Sequence, residues 1–225
     1  MVDIYHLLLG LAALLLVIYF IVELNYFLRS LLCLIQANFF KQKKFILDET
    51  TISGICISND VDYLLNHMNN ARYARELDFA KLDFYQRTGL YKNVASKGGA
   101  LFVGATTIRY RRFIKIFTKY QIKTKIIYWD NQNIYLEHQF LTKSGFVNAI
   151  AMCRIRLVKV DAEQIMKDLI ENVPKKVIDI EAGKNKQKLT LSPELEKWIE
   201  SNQISSEKLR EKDKSKSNEE VGGIA

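Results

Sequence analysis

Between Ala100 and Val160 the chain adopts a period of two. Lys119, Gln121, Lys123 and Lys125 alternate with Tyr120, Ile122, Thr124 and Ile126, the pattern of a strand with one wet face and one dry face. Asp130-Asn131 supplies a turn, and Ile134, Leu136 and Phe140 mark one face of a further strand. Ser144-Gly145 is a second turn, and a long strand runs from Phe146 through Val158. Ahead of this block the period is helical. Asn69 or Asn70 can cap a helix, because Asn accepts hydrogen bonds from first-turn N–H groups. Tyr73, Leu77, Ala80 and Phe84 then form one stripe, and Thr88-Gly89 is a stop. Arg72, Arg75, Glu76, Lys81, Asp83 and Arg87 lie largely off the stripe. Residues 45–58 are rich in β-branched side chains and read as another strand. Strand, long helix, then about four strands on short connections imply an antiparallel sheet with one helix laid across it, an α+β domain.

From Ile4 to Val22 the chain carries no charge and is mostly Leu, Ile, Val, Ala and Phe. At about 1.5 Å per residue such a run matches the hydrocarbon thickness of a bilayer. A cleaved signal peptide would want a basic start and a small-x-small cleavage site, whereas this chain starts Met-Val-Asp. A buried soluble helix would show a polar stripe. A retained membrane anchor is therefore the favoured reading, and secretion after signal cleavage is the alternative. Arg29, Lys41, Lys43 and Lys44 follow the run, which places the body of the chain on the cytosolic side of a membrane. A short span with mild flanks suggests the endoplasmic reticulum.

The formal net charge of +8 invites a nucleic-acid reading, but its position argues against one. Residues 101–160 hold eleven basic side chains against two acidic ones, and the rest of the chain nearly balances. No nucleic-acid motif frames the basic block, so no nucleic-acid partner is expected. Three cysteines without a CxxC pair or a His/Cys cluster leave neither a disulfide scaffold nor a metal site, and no cofactor is expected. The organisation read from the sequence is a hydrophobic membrane-anchor segment over residues 1–40, the α+β domain over 41–165, a helical extension over 166–204 and a charged, disordered tail over 205–225. The extension contains one helix after Asp161, a Lys-rich linker from Ala182 to Lys188, and a second helix opening at Ser192-Pro193.

The stretch Asp62-Tyr63-Leu64-Leu65-Asn66-His67-Met68-Asn69-Asn70-Ala71-Arg72-Tyr73 runs from a turn into the helix. It resembles the D-x-x-G-H-V-N-N-A-x-Y signature of the hot-dog thioesterase superfamily. The following Arg75-Glu76-Leu77-Asp78-Phe79-Ala80-Lys81, the apolar amino terminus, Arg109-Tyr110-Arg111-Arg112, Tyr128-Trp129-Asp130 and Tyr135-Leu136-Glu137 narrow the resemblance to its member 6 family. The likeness extends from the anchor to about Asn202. It implies a hot-dog fold, a sheet wrapped around one long central helix, and a homodimer or higher oligomer. It also implies an acyl-CoA-type thioester or another lipid as substrate. In that superfamily the Asp of the motif is base or nucleophile, a role that falls here on Asp62.

A helix amino terminus carries unpaired N–H groups and the positive end of a dipole, so the start of the helix after Asn70 is an oxyanion site. His67 holds the turn or touches substrate, and Asn69 and Asn70 order it. Asp78, two turns into the helix, is a second carboxylate candidate, although it reads first as an ion-pair partner. His138 lies on the apolar face of its strand and reads as a satisfied core histidine. Arg109, Arg111 and Arg112 suit the phosphates of coenzyme A, since Arg pairs with phosphate bidentately; attraction to anionic lipid and a plain solvated face are the other readings. The motif departs from the superfamily pattern by spacing Asp62 and His67 five residues apart rather than four, with Asn66 where Gly is usual. Asn tolerates φ > 0, so the turn can survive. Whether the protein is an enzyme is left open by that extra residue; a catalytically inactive acyl-lipid-binding or scaffold protein of the same fold is the alternative.

Overall fold

The computed structural model describes residues 4–21, 23–62, 66–171 and 189–222. Two helices lead: α1 (Ile4–Ile21) and α2 (Leu24–Ile35), the second extended by a π-helical turn, Gln36–Phe40. Strand β1 (Thr50–Ile55) comes next, then the central helix α3 (Asn70–Thr88) and the short α4 (Leu90–Ser96). Four strands follow: β2 (Ala100–Tyr110), β3 (Lys119–Trp129), β4 (Asn133–Thr142) and β5 (Val147–Val158). Helices α5 (Ala162–Glu171) and α6 (Pro193–Gly222) close the chain. All five strands pair antiparallel, in the order β1-β3-β4-β5-β2. The sheet lies across α3, and the fold is the hot-dog fold.

The helix forms where the period indicates. Asn69 is the cap, its side chain accepting from Ala71 N at 2.9 Å. Gly89 ends the helix in the left-handed region at φ 76°, where a Cβ would be strained. Tyr73, Leu77, Ala80 and Phe84 are buried in the core with Ile122, Ile134 and Phe140 of the sheet, and Tyr73 meets Phe140 edge-on at 5.0 Å. The turn at Asp130 forms as read, its carboxylate accepting from Gln132 N and Asn133 N, both at 2.8 Å. His138 is fully buried, but only half satisfied: Nδ1 faces Thr124 Oγ1 at 2.8 Å, while Nε2 has no partner.

One expectation is corrected. Residues 45–48 are a turn rather than the start of a strand, because Asp48 turns back to accept from Phe45 N at 3.2 Å. Residues 205–222, read as a disordered tail, lie in the continuation of α6; Lys, Glu and Arg are good helix formers, and the first two turns of the helix are docked by buried Leu195 and by Trp198 against Tyr135. The side of α3 off the stripe is covered as well: Glu76, Lys81, Asp83 and Arg87 are all buried. The linker expected at 182–188 lies outside the described residues, as do Val22 at the end of the apolar run and Tyr63-Leu64-Leu65 of the motif.

Helix α2 explains that burial. It lies along the outer side of α3, within the stretch expected to belong to the membrane segment, and its polar residues answer those of α3 in register. Glu23 pairs with Arg75, Tyr26 donates to Asp78 at 3.4 Å, and Arg29 grips Glu76 with two parallel hydrogen bonds. Further on, Lys41 reaches Asp83 at 2.6 Å, and Arg87 meets the same carboxylate at 3.3 Å. Helix α1 is different: its described side chains are exposed and its surface is apolar all round. Among the described residues no single helix is long and apolar enough to cross a membrane; α1 and α2 meet that measure only as a pair bent by 75°.

Candidate functional site

The approach to α3 is a closed turn. Val61 bridges Met68 in antiparallel fashion, Asp62 N donates to His67 O at 2.8 Å, and Asn66 N donates back to Asp62 O at 3.1 Å. Asn66 takes φ 54°, the left-handed conformation that Asn adopts more readily than most side chains. Asp62 and Asn66 thus close on each other ahead of the helix. Asp60, two residues before Asp62, is buried. It accepts from Ile57 N at 3.0 Å, its carbonyl accepts from Asn69 N at 2.8 Å, and Arg72 stands 3.7 Å from its carboxylate. Asp62 itself is half-buried in this ladder.

His67 is a fixture of the turn. It forms a bridge with Lys115, its ring stacks on Phe113 at 3.9 Å and 6°, and its Nδ1 lies 3.0 Å from Met68 O. A carbonyl accepts, so Nδ1 carries the proton, and the buried Nε2 has no partner. Asn70 opens the helix, and its carbonyl accepts from the Tyr110 hydroxyl at 3.2 Å.

Beside this turn a groove of about 840 Å³ runs along α3. Its walls bring together Asn69 and Ala71 at the helix start, Asp78 and Lys81 two turns on, Thr106 of strand β2 and Tyr26 of α2. The turn contributes Val61 to this wall. Asp78 is an accessible carboxylate of the groove wall, with 46% of its side chain exposed and Lys81 Nζ at 2.9 Å; Glu23, the other carboxylate of the lining, is held by Arg75. The ion-pair reading of Asp78 is what the geometry shows. Behind the groove, Thr106 donates to Cys153 Sγ at 3.5 Å, and burial pushes the Cys153 thiol up from its ordinary value. At about 1.5 Å rise per residue, Asp78 lies some 12 Å along the helix from Asn70, so the helix start and Asp78 serve different ends of the groove.

Arg109, Arg111 and Arg112 are exposed, at and beyond the end of β2. Arg111 and Arg112 both cover the Phe146 ring, at 4.9 and 4.1 Å from its centre. Of the side chains singled out in the sequence, the groove gathers Asn69 and Asp78, with Asn70 and Asp62 adjoining Asn69 and Val61 of its lining. Tyr26, Lys81 and Thr106 were not anticipated. Lys81 sits off the helix stripe, and the one trace of Tyr26 is its place on a helix that mixes Asn25, Arg29 and Ser30 with Leu and Phe. Among the described residues there is no group of three or more His, Cys, Asp or Glu able to hold a metal ion.

A five-stranded antiparallel sheet on a central helix, with a groove opening at the helix start, defines a hot-dog protein of thioesterase type. The chain belongs to the thioesterase-like superfamily, whose family model matches residues 57–199. It is 42% identical over 201 residues to Protein THEM6 of Drosophila melanogaster, covering 89% of this chain and 97% of that one. To Protein THEM6 of Danio rerio it is 34% identical, covering 82% and 86%. Solved structures similar to it include YbaW, a probable thioesterase from Escherichia coli, at 20% identity and a TM-score of 0.49 over 55% of this chain and 96% of that one. Another is Slr0204, a 1,4-dihydroxy-2-naphthoyl-CoA thioesterase from Synechocystis, at 13% identity and a TM-score of 0.48 over 56% and 98%.

Proposed function

We propose that the protein hydrolyses a fatty acyl-CoA-type thioester in the groove along α3. The observation that carries this reading is the groove itself, which joins a helix amino terminus to an accessible carboxylate. Hydrolysis needs a carboxylate to take a proton from attacking water, or to attack directly, and fixed donors for the charge that grows on the carbonyl oxygen. Asp78 is the favoured carboxylate, because it stands in the wall, and Asp62 is the alternative beside the helix start. With Asp62 the oxyanion site is the first turn after Asn70; with Asp78, about 12 Å further along the helix, the donor within reach is Lys81 Nζ of the same wall. Arg109 stands an odd number of residues from groove-lining Thr106 and so on the other face of β2; its assignment to a coenzyme A phosphate requires the tail to leave the groove over the edge of that strand. The open edge of β2, where Phe102 and Val103 are exposed, suits a second copy of the chain and hence a homodimer.

A specific observation favours a second reading. Lys81 Nζ holds Asp78 Oδ1 at 2.9 Å, and a carboxylate oxygen held by an ammonium is less free to engage a water, as suits a protein that holds acyl lipid without turnover. The full chain in mild detergent should release free thiol from at least one member of an acyl-CoA series. Asp78→Asn should lower that rate by about 10² or more, the scale of a lost general base, while acyl-CoA binding persists. Binding without turnover across the series would establish the second reading. Loss of turnover in Asp62→Asn but not in Asp78→Asn would move the role to Asp62.

In the same reading α1 lies in a membrane of the endoplasmic reticulum with the body cytosolic. The ion pairs that fix α2 to α3 support retention of the amino-terminal segment, because cleavage near Ala37 would remove Arg29 from buried Glu76. Protease added to sealed microsomes should degrade the body; protection of it would overturn this topology.

A further inference from the structure

The connection between β2 and β3, residues 111–118, combines features that a soluble loop avoids. Phe113 and Phe117 are 63% and 75% exposed. Phe117 holds φ 58°, a left-handed conformation that costs a bulky L-residue free energy and that Gly or Asn would adopt more cheaply. The loop is not loose. Ile114 is fully buried as a plug, and its carbonyl accepts from Met68 N at 2.8 Å. Phe117 N donates to Cys56 O at 2.7 Å, and Cys56 N donates to Thr118 O at 3.1 Å. The fold therefore presents two aromatic rings at the surface on a rigid support, Phe113 with one face stacked on His67 and the other open, and tolerates backbone strain at Phe117.

The surroundings say what covers them. Arg111, Arg112, Lys115 and Lys119 flank the rings, all exposed, and the sequence has no acidic residue between Arg109 and Asp130. Ile55 and Ile57, 45% and 42% exposed, lie beside the loop at the end of β1. They share a cleft of about 240 Å³ with Asn25 and Tyr26 at the start of α2, so the chain arriving from apolar α1 joins the body at this same end. Aromatic rings inside a basic collar match the headgroup layer of an anionic bilayer, where rings sit below the phosphates and cations among them.

We propose that the 111–118 loop is a second, independent membrane contact: Phe113 and Phe117 insert at the headgroup level of an anionic leaflet, and Arg111, Arg112, Lys115 and Lys119 bind its phosphates. The contact is independent of thioester chemistry in the groove.

The test uses the full chain in lipid nanodiscs, with Phe117→Trp as reporter and the unchanged chain as the blank for Trp129 and Trp198. In discs of equimolar phosphatidylcholine and phosphatidylserine the added emission shifts to the blue and is quenched by acyl-chain-brominated lipid. The quenching is lost in pure phosphatidylcholine and in the Arg111→Glu/Arg112→Glu background. Hydrogen exchange of residues 113–118 in the unsubstituted chain slows in the anionic discs alone. Water-like emission in both discs, quenching indifferent to lipid charge, or a blue shift without quenching, which would assign the loop to a protein partner, each overturns the proposal.

Discussion

Replacing Arg29 by Met keeps an apolar stem of similar length on α2 and strips Glu76 of its guanidinium. The Glu76 side chain is 3% exposed, whereas that of Arg29 is 40% exposed. Breaking a fully buried pair from one side costs about 3–5 kcal/mol, because a charge is left without compensation. Water reaches Arg29, so the figure falls to about 1–3 kcal/mol. For a chain of this size that is a drop in Tm of roughly 3–10 °C. The readout is thermal unfolding in detergent followed by the fluorescence of buried Trp129. The informative comparison is Arg29→Met/Glu76→Gln, which removes the charge together with its partner and recovers part of the loss. A single variant within about 0.5 kcal/mol of the unchanged chain, the range of ordinary surface substitutions, would refute the claim that this contact holds α2 to α3. So would a double variant no better than the single one.

His138 is held down to about 3, by burial first and by Lys81 second. In the unfolded chain it takes a proton near pH 6.5. Stability is therefore lost as pH falls from about 6.5 towards 3, with a slope of up to about 1.4 kcal/mol per pH unit from this one group. Urea titrations across that range should show the slope in the unchanged chain and its loss in His138→Gln. At Asn66, substitution by Gly should change the urea midpoint by only a few tenths of a kcal/mol, and substitution by Val should cost about 1–2 kcal/mol, because a branched side chain resists φ 54°.

Much of the body is written locally. Tyr73, Leu77, Ala80 and Phe84 face the sheet because a helix repeats every 3.6 residues, and Ile122, Thr124 and Ile126 point inward because a strand repeats every two. Asn66 announced its own turn. The outer side of α3 was illegible for a physical reason. Glu76 and Asp83 look like solvated charges until Arg29 and Lys41 arrive from more than 40 residues upstream, and no local period encodes such a pairing. The groove shares that dependence, since Tyr26 reaches Asp78 across 52 positions. The break at Phe45–Asp48 was missed because β-branched content outweighed one turn-forming Asp.

The separation of Arg29 from Glu76 also orders events in time. A chain is made from its amino terminus, at about 5–20 residues per second. Glu76 lies 47 positions after Arg29, so it follows by roughly 2–10 s. During that interval α1 meets its surroundings with α2 still unbound, and no α3 competes for either. Once α3 emerges and folds under the sheet, Glu76 and Asp83 capture Arg29 and Lys41. The ion pairs then act as a latch that closes only once α3 has been made, and they hold α2 at a fixed bearing to the body.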